Sequence, residues 1–389
     1  MKAFFAAVSM VAGASGAHAH RVPETEQPRL VFIGQDLDAL RGYQASRCCA
    51  AADGTTAYVD LYDVLSAEEN YGGLGVDAQL RPIGNEKGWG AGPVSAWKSA
   101  VEFAAPRLAI GLSITEEDQP DGIRKIVAGD FDPQIIHLAR LIKKLDRPVF
   151  LRVGYEFDGT WNQGYADRQR YVAAWRRIVD IVRHEGAVNA VTVWQASASP
   201  IDDMIEGSRE DIRDWYPGDA YVDWMGLSWF VGPDERPVVP AKYRPATARM
   251  LADEVVALAR ERRKPVMVAE LAPQGYDLAR GTNCNVSPVW DGPAGYACRS
   301  TDAAGAWSEW FAPFFAYAQA NADVVRSIAY IGVDWNTQPM WGPPYRNGYW
   351  GDTRLHADAG ISRRWNAAVA RWQRVAQSSK FKQFRKAKR

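Results

Sequence analysis

Two glutamates stand where an apolar run ends. Val149-Phe150-Leu151-Arg152-Val153-Gly154-Tyr155 leads into Glu156, and Pro265-Val266-Met267-Val268-Ala269 leads into Glu270. An ionised carboxylate after such a run is expensive to bury unless a partner or a reaction satisfies it. Paired carboxyls of this kind suit glycosidic-bond hydrolysis with retention. One serves as nucleophile and the other as acid and then base, at a separation of about 5–5.5 Å. Either glutamate alone is equally well explained as half of a salt bridge, for example with Arg152. Other chemistries lack their residues. Histidines 18, 20, 137, 184 and 356 show no metal-ligand spacing in the body of the chain. His20 would become the mature N-terminus after cleavage at Ala19, but no second copper-ligand pattern accompanies it. Ser197 and Ser199 lack a Gly-x-Ser-x-Gly elbow, and no Gly-rich phosphate loop occurs. Neither a metal nor a cofactor is expected.

Elements that would position the two carboxyls follow from periodicity. Eight short apolar runs read as strands: Leu30–Gly34, Thr56–Leu61, Leu108–Ile114, Pro148–Tyr155, Ala190–Gln195, Val222–Trp229, Pro265–Leu271 and Ser327–Trp335. Helical spacing lies between them, as in Ile135/Leu138/Ile142/Leu145, Tyr171/Trp175/Ile178/Val182 and Leu251/Val255/Leu258/Arg262. This alternation predicts an α/β fold, a (β/α)₈ TIM barrel with long βα loops. In it Glu156 and Glu270 end strands four and seven, which face each other across the mouth. An open doubly wound sheet is the alternative, but no Gly-x-Gly-x-x-Gly follows the first strand. The body exceeds the ~250 residues of an ordinary barrel. The excess lies in loops after strands: Glu116–Pro133, Ser197–Pro217, Ala272–Gly305 and Asn336–Ser362.

Composition limits the rest. Among 389 residues, 46 Lys and Arg balance 46 Asp and Glu, which argues against a dedicated nucleic-acid binder. Six basic residues lie in the last ten and one in the first twenty, so the remainder holds 39 basic against 46 acidic. Lys2, the apolar run Ala3–Ala14 and Ala17-His18-Ala19 read as a signal peptide, residues 1–19, cleaved near Ala19. Export to the periplasm or the medium follows, with no integral membrane segment. Residues 20–378 form the barrel, and 379–389 a frayed basic tail. Cys284 and Cys298 are placed for a local loop staple. Cys48 and Cys49 read as a vicinal disulfide, with cross-pairing open. The 16 Trp, 16 Tyr and 13 Phe fit either half-exposed sugar platforms or a large core. A monomer acting on a polysaccharide or oligosaccharide is expected.

Three segments carry a resemblance. Glu156-Phe157-Asp158-Gly159-Thr160-Trp161 resembles the Glu-x-Asn-Gly-x-Trp signature of glycoside hydrolase family 26, the β-mannanase family. Trp215-Tyr216-Pro217-Gly218-Asp219-Ala220-Tyr221-Val222-Asp223 resembles its approach to strand six, and Lys264–Glu270 its strand seven. The resemblance implies a retaining barrel enzyme with Glu156 as acid/base, Glu270 as nucleophile and Trp161 as a wall of the sugar site. Asn162, beside Trp161, is expected to contact the sugar. Two positions depart from the family's pattern: Tyr155 stands where a His usually precedes the acid/base, and Phe230 where a Tyr usually holds the nucleophile. Ser228 or Tyr155 is expected to supply that hydroxyl. Trp194 and Gln195 end strand five and Trp335 ends strand eight, all positions for sugar contact. Gln35 and Asp36, after strand one, suit sugar hydroxyls. Trp89, Trp229, Tyr276 and Trp341 are expected as cleft lining or loop packing, and Asp352 with Arg354 as a loop salt bridge. The expected substrate is a β-mannan, β-1,3-xylan or β-glucan. The competing expectations are a carbohydrate-binding protein on the same barrel, or a glycosidase of other sugar specificity.

Overall fold

The computed structural model describes residues 29–386 except 89, 201–210, 235–245, 285–297 and 346, with side chains through Arg374. The leader segment 1–19 and Trp89 lie outside the described residues. Eight strands form a closed barrel: β1 Leu30–Ile33, β2 Gly54–Asp60, β3 Leu108–Ser113, β4 Val149–Val153, β5 Ala190–Ala196, β6 Trp224–Trp229, β7 Val266–Leu271 and β8 Val325–Tyr330. Every neighbour pairs in parallel. The ring closes where Leu30 of β1 faces Ser327 of β8, which rules out the open doubly wound sheet. Most expected boundaries move by one or two residues, and one moves further. The eighth strand stops at Tyr330, because Val333 and Trp335 leave the barrel ladder to pair with Thr353 and Gly351 of the returning loop.

Helices of the outer ring take their ends from local caps. α1 (Leu37–Ser46) begins where Asp36 accepts from the Ala39 amide, and α2 (Ala96–Val101) where Ser95 accepts from Lys98. α3 (Asp132–Leu145) starts with a proline in its first turn. α4 (Arg168–His184) and α5 (Ala248–Arg262) are capped by Asp167 and Thr247. α6 (Ala312–Ala320) and α7 (Ala359–Lys386) close the ring. The tail expected to be frayed from residue 379 continues α7 as far as Lys386.

The strands are buried on both faces, and their two-residue period sorts side chains between two cores. Ala57, Val59, Leu151, Val153, Trp194, Leu227 and Trp229 point outward against the helices. Phe32, Ala109, Phe150, Val193, Trp224 and Met267 point into the barrel. The Phe32, Phe150 and Trp224 rings meet edge to face at 5.2 Å and floor the cavity one layer beneath the mouth. Among the described residues seven tryptophans, Trp175 and Trp310 among them, are fully buried, so much of the aromatic content fills core rather than cleft.

In the loop after β7, three two-residue strands, Tyr276–Asp277, Thr282–Asn283 and Arg299–Ser300, form a small sheet. It is stapled by a Cys284–Cys298 disulfide, which closes the cross-pairing alternatives. Cys48 and Cys49 are free thiols with Sγ atoms 2.6 Å apart, not the vicinal disulfide expected from adjacency. Bonding across one peptide unit demands geometry that adjacent residues reach only under strain.

Candidate active site

β4 ends in a turn that aims Glu156 into the mouth. Gly154 takes φ 50° and Glu156 takes φ 54°, a left-handed backbone that costs a non-glycine residue roughly 1–3 kcal/mol. A Cβ on Gly154 would sit 2.8 Å from the Tyr171 ring, so glycine is required there. Neighbouring groups hold the turn. Tyr171 donates to the Gly154 carbonyl at 2.9 Å, and Trp175 Nε1 donates to that of Val153 at 3.1 Å. Asn162 donates to the Glu156 carbonyl at 2.8 Å, which gives it a backbone partner rather than the sugar contact expected of it.

Glu156 is 8% exposed. Its Oε1 accepts from Ser228 Oγ at 2.7 Å and its Oε2 from Trp161 Nε1 at 3.1 Å. Burial pushes its pKa well above the ordinary carboxylate range. The Glu270 charge adds to the rise, and the Ser228 hydrogen bond opposes it. Glu156 is therefore placed to hold a proton at pH values where an exposed glutamate has lost its own.

Glu270 reaches the same cavity through a break in register. Leu227 of β6 faces Val268, but Ser228 faces Glu270, so β7 carries one extra residue between them. The bulge turns Glu270 inward where strict alternation from Met267 and Ala269 would turn it out. Its Oε1 then accepts from Arg152 Nη1 at 2.7 Å and from the Tyr58 hydroxyl at 2.9 Å. Arg152 is wholly buried, and the same Nη1 also lies 3.0 Å from Gln195 Oε1. Gln195 Nε2 donates to Ser228 Oγ at 3.1 Å, so Ser228 must direct its own proton to Glu156. Arg152, Gln195 and Ser228 thus join the two carboxyls in one chain of hydrogen bonds.

Several expected contacts are placed otherwise. Ser228 serves Glu156, not Glu270, and the Tyr155 hydroxyl bonds no described residue, so neither supplies the expected hydroxyl to Glu270. Tyr155 stays beside the pair, its ring edge-to-face with Tyr58 at 5.4 Å. Trp194 and Trp229 occupy outward strand positions and are buried against the helices, Trp194 flat on Phe157 and Trp229 against Tyr317. Tyr276 is buried and donates to Glu309. Trp335 lies beyond the end of β8, 2% exposed, packed against Trp350 and donating to Thr353. These four offer no open face to a sugar. Asp36 is likewise committed to the α1 cap and to Gln338, with burial pushing its pKa up to about 6. Gln35 is buried with no described partner for its amide, Trp161 is 41% exposed, and Phe230 and Trp341 stand half-buried around Trp350. Arg354 and Asp352 form the loop ion pair at 2.6 Å.

Tyr58 is not singled out from sequence, whereas the bridge to Arg152 considered there for a glutamate is present on Glu270. Strand alternation could have found Tyr58, because it lies between outward Ala57 and Val59, as Arg152 does between outward Leu151 and Val153. No group of three or more His, Cys, Asp or Glu among the described residues is arranged to hold a metal.

Residues 113–270, the segment that includes both glutamates, match the family profile described as Glycosyl hydrolase family 26. A β-1,3-xylanase, TXYA, from Vibrio sp. is 30% identical over 350 residues, 89% of this chain and 65% of that protein. A β-1,3-xylanase from Alcaligenes sp. is 30% identical over 86% of this chain and 62% of its own length. The chain thus spans somewhat less than two thirds of either relative. In fold it is similar to the catalytic domain of a Bacillus sp. JAMB-750 GH26 endo-β-1,4-mannanase, with a TM-score of 0.52 at 14% identity over 89% of this chain and 90% of that one. With the matched segment supplying both buried carboxyls and a closed (β/α)₈ barrel holding them, the chain is similar to glycoside hydrolase family 26.

Proposed function

We propose that the protein is an exported, retaining endo-β-glycosidase that hydrolyses β-1,3-xylan. The observation that carries the catalytic part is the unlike treatment of two linked carboxyls. Glu156 is buried and pushed towards its protonated form, while Glu270 lies against a buried guanidinium. That division is what double displacement requires. The names of the two 30%-identical relatives favour xylan with β-1,3 linkages over mannan. The changes at Tyr155 and Phe230 from the mannanase-like pattern favour it too. The leader-like residues 1–19 support export.

In the first step a Glu270 oxygen attacks the anomeric carbon, the glycosidic C–O bond breaks, and the Glu156 proton passes to the leaving oxygen. Glu270 Oε1 already accepts two hydrogen bonds and Oε2 accepts none from a described residue, so Oε2 is the attacking atom. In the second step water gives its proton to Glu156 and its oxygen to the anomeric carbon, releasing Glu270. Incubating the protein with β-1,3-xylan, β-1,4-mannan and mixed-linkage glucan tests the assignment. Oligosaccharides released from the xylan alone, with the β-anomer first in the NMR spectrum, are expected. The α-anomer first, or binding with no cleavage, would overturn it.

Ser228 gives a pH prediction. Its hydroxyl opposes the rise in the Glu156 pKa, so Ser228→Ala lets that pKa climb further. An acid with a higher pKa keeps its proton to higher pH, and the basic limb of the kcat/KM profile moves upward in pH. A limb that stays put or moves down would show that Ser228 does not tune the acid.

A further inference from the structure

Tyr58 lies outside the sequence motifs, yet it touches the group on which the reaction turns. It projects inward from β2, and its hydroxyl donates to Glu270 Oε1 at 2.9 Å. The guanidinium of Arg152 lies over its ring, 5.0 Å from the centroid, and the Tyr155 ring meets it edge-on. The space for this stack is made by Gly111 on β3. A Cβ there would fall 2.5 Å from Arg152 Nη2 and 2.7 Å from the Tyr58 ring. Side chains from β2 and β4 thus converge on one oxygen of Glu270, with a glycine on the intervening strand leaving them room. Phe230, after β6, carries no hydroxyl to share the task.

We infer that Tyr58 is a positioning residue for the nucleophile, holding Oε1 from β2 so that Oε2 faces the anomeric carbon. The inference rests on the proposed assignment of Glu270 as nucleophile. Arg152 alone would leave the carboxylate free to rotate about its terminal torsion, which is broad in glutamate. A second donor from another strand fixes the plane. Burial and the adjacent Glu270 charge both push the Tyr58 pKa upward, so the hydroxyl keeps the proton it donates. Its role is orientation, and no bond to it forms or breaks.

An activated 2-deoxy-2-fluoro-xylobioside with a dinitrophenyl leaving group tests this directly. Such a probe needs little help from the acid, and it traps the glycosyl-enzyme as an ester on the nucleophile. Tyr58→Phe keeps the ring beneath Arg152 and removes only the hydroxyl. We expect its trapping rate constant to fall about 100-fold with the probe's binding constant unchanged, as for misplacement of a reacting group. On xylan, kcat should fall while KM holds. Tyr62→Phe, which removes a half-buried tyrosine hydrogen bond to the Ile114 carbonyl, serves as the structural comparison and should trap at the wild-type rate. If wild type is not labelled on Glu270, the hydrolase assignment fails and this inference with it. If wild type is labelled and Tyr58→Phe matches its rate, only this inference fails. Equal slowing of the Tyr58 and Tyr62 variants would also overturn it, since the loss would then reflect general loosening around the end of β2.

Discussion

Glu270→Ala is expected to reduce turnover by on the order of 10⁴- to 10⁶-fold, as when a covalent nucleophile is deleted. The substitution takes away the attacking oxygen and leaves a gap bounded by the Arg152 guanidinium and the Tyr58 hydroxyl. Both donors then lose the Glu270 oxygen they share, and a buried cation without its carboxylate favours capture of a small anion. Azide should enter this gap and attack the anomeric carbon in one displacement. An α-glycosyl azide, inverted relative to the β-linked substrate, is the expected product. It is read by NMR, with the rate rising in proportion to azide. Retained activity, a β-azide, or no response to azide would show that Glu270 is not the nucleophile. A protein that only binds sugars would have no turnover to lose.

The second large effect is on stability as well as rate. Arg152→Met removes a wholly buried cation and leaves Glu270 with Tyr58 as its remaining partner. Breaking a buried ion pair from one side typically costs about 3–5 kcal/mol. The variant's urea midpoint should fall accordingly, and Gln195 Oε1 loses a donor at the same time. Arg152→Lys separates charge from geometry. A single ammonium restores part of the electrostatic balance but lacks the planar fork of the guanidinium. Stability should therefore recover more than turnover does. A Met variant as stable as wild type would mean that Glu270 is satisfied without the pair.

Much of this architecture was legible because strands buried on both faces announce themselves as apolar runs. Glu156 and Glu270 stood out because each broke such a run. What escaped was direction. Trp194 and Gln195 are adjacent at the end of β5, and only the alternation of the whole strand tells that the ring packs outward while the amide enters the barrel. Trp229 and Ser228 repeat this on β6. Glu270 carries the opposite lesson, since alternation alone would have turned it away, and the one-residue bulge in β7 is invisible in the run Val266–Leu271. Trp335 was misplaced for a third reason. The apolar character of Ile331 and Val333 comes from a cluster with the returning loop rather than from continued pairing in the barrel.

The hydrogen bonds from Arg152 through Gln195 and Ser228 to Glu156 all point the same way, donor towards Glu156. That shared polarity supplies a timing device for the proposed double displacement. While Glu270 is ionised, it offsets the guanidinium, and Glu156 feels burial and a neighbouring negative charge that keep its proton on. Once Glu270 is esterified by the sugar, that negative charge is gone and the field of Arg152 runs unopposed along the relay to Glu156. The group that has just given up its proton is thereby held as a base until water arrives, and it regains its affinity for a proton when the ester is cleaved. In the proposed mechanism the state of one carboxyl thus sets the task of the other.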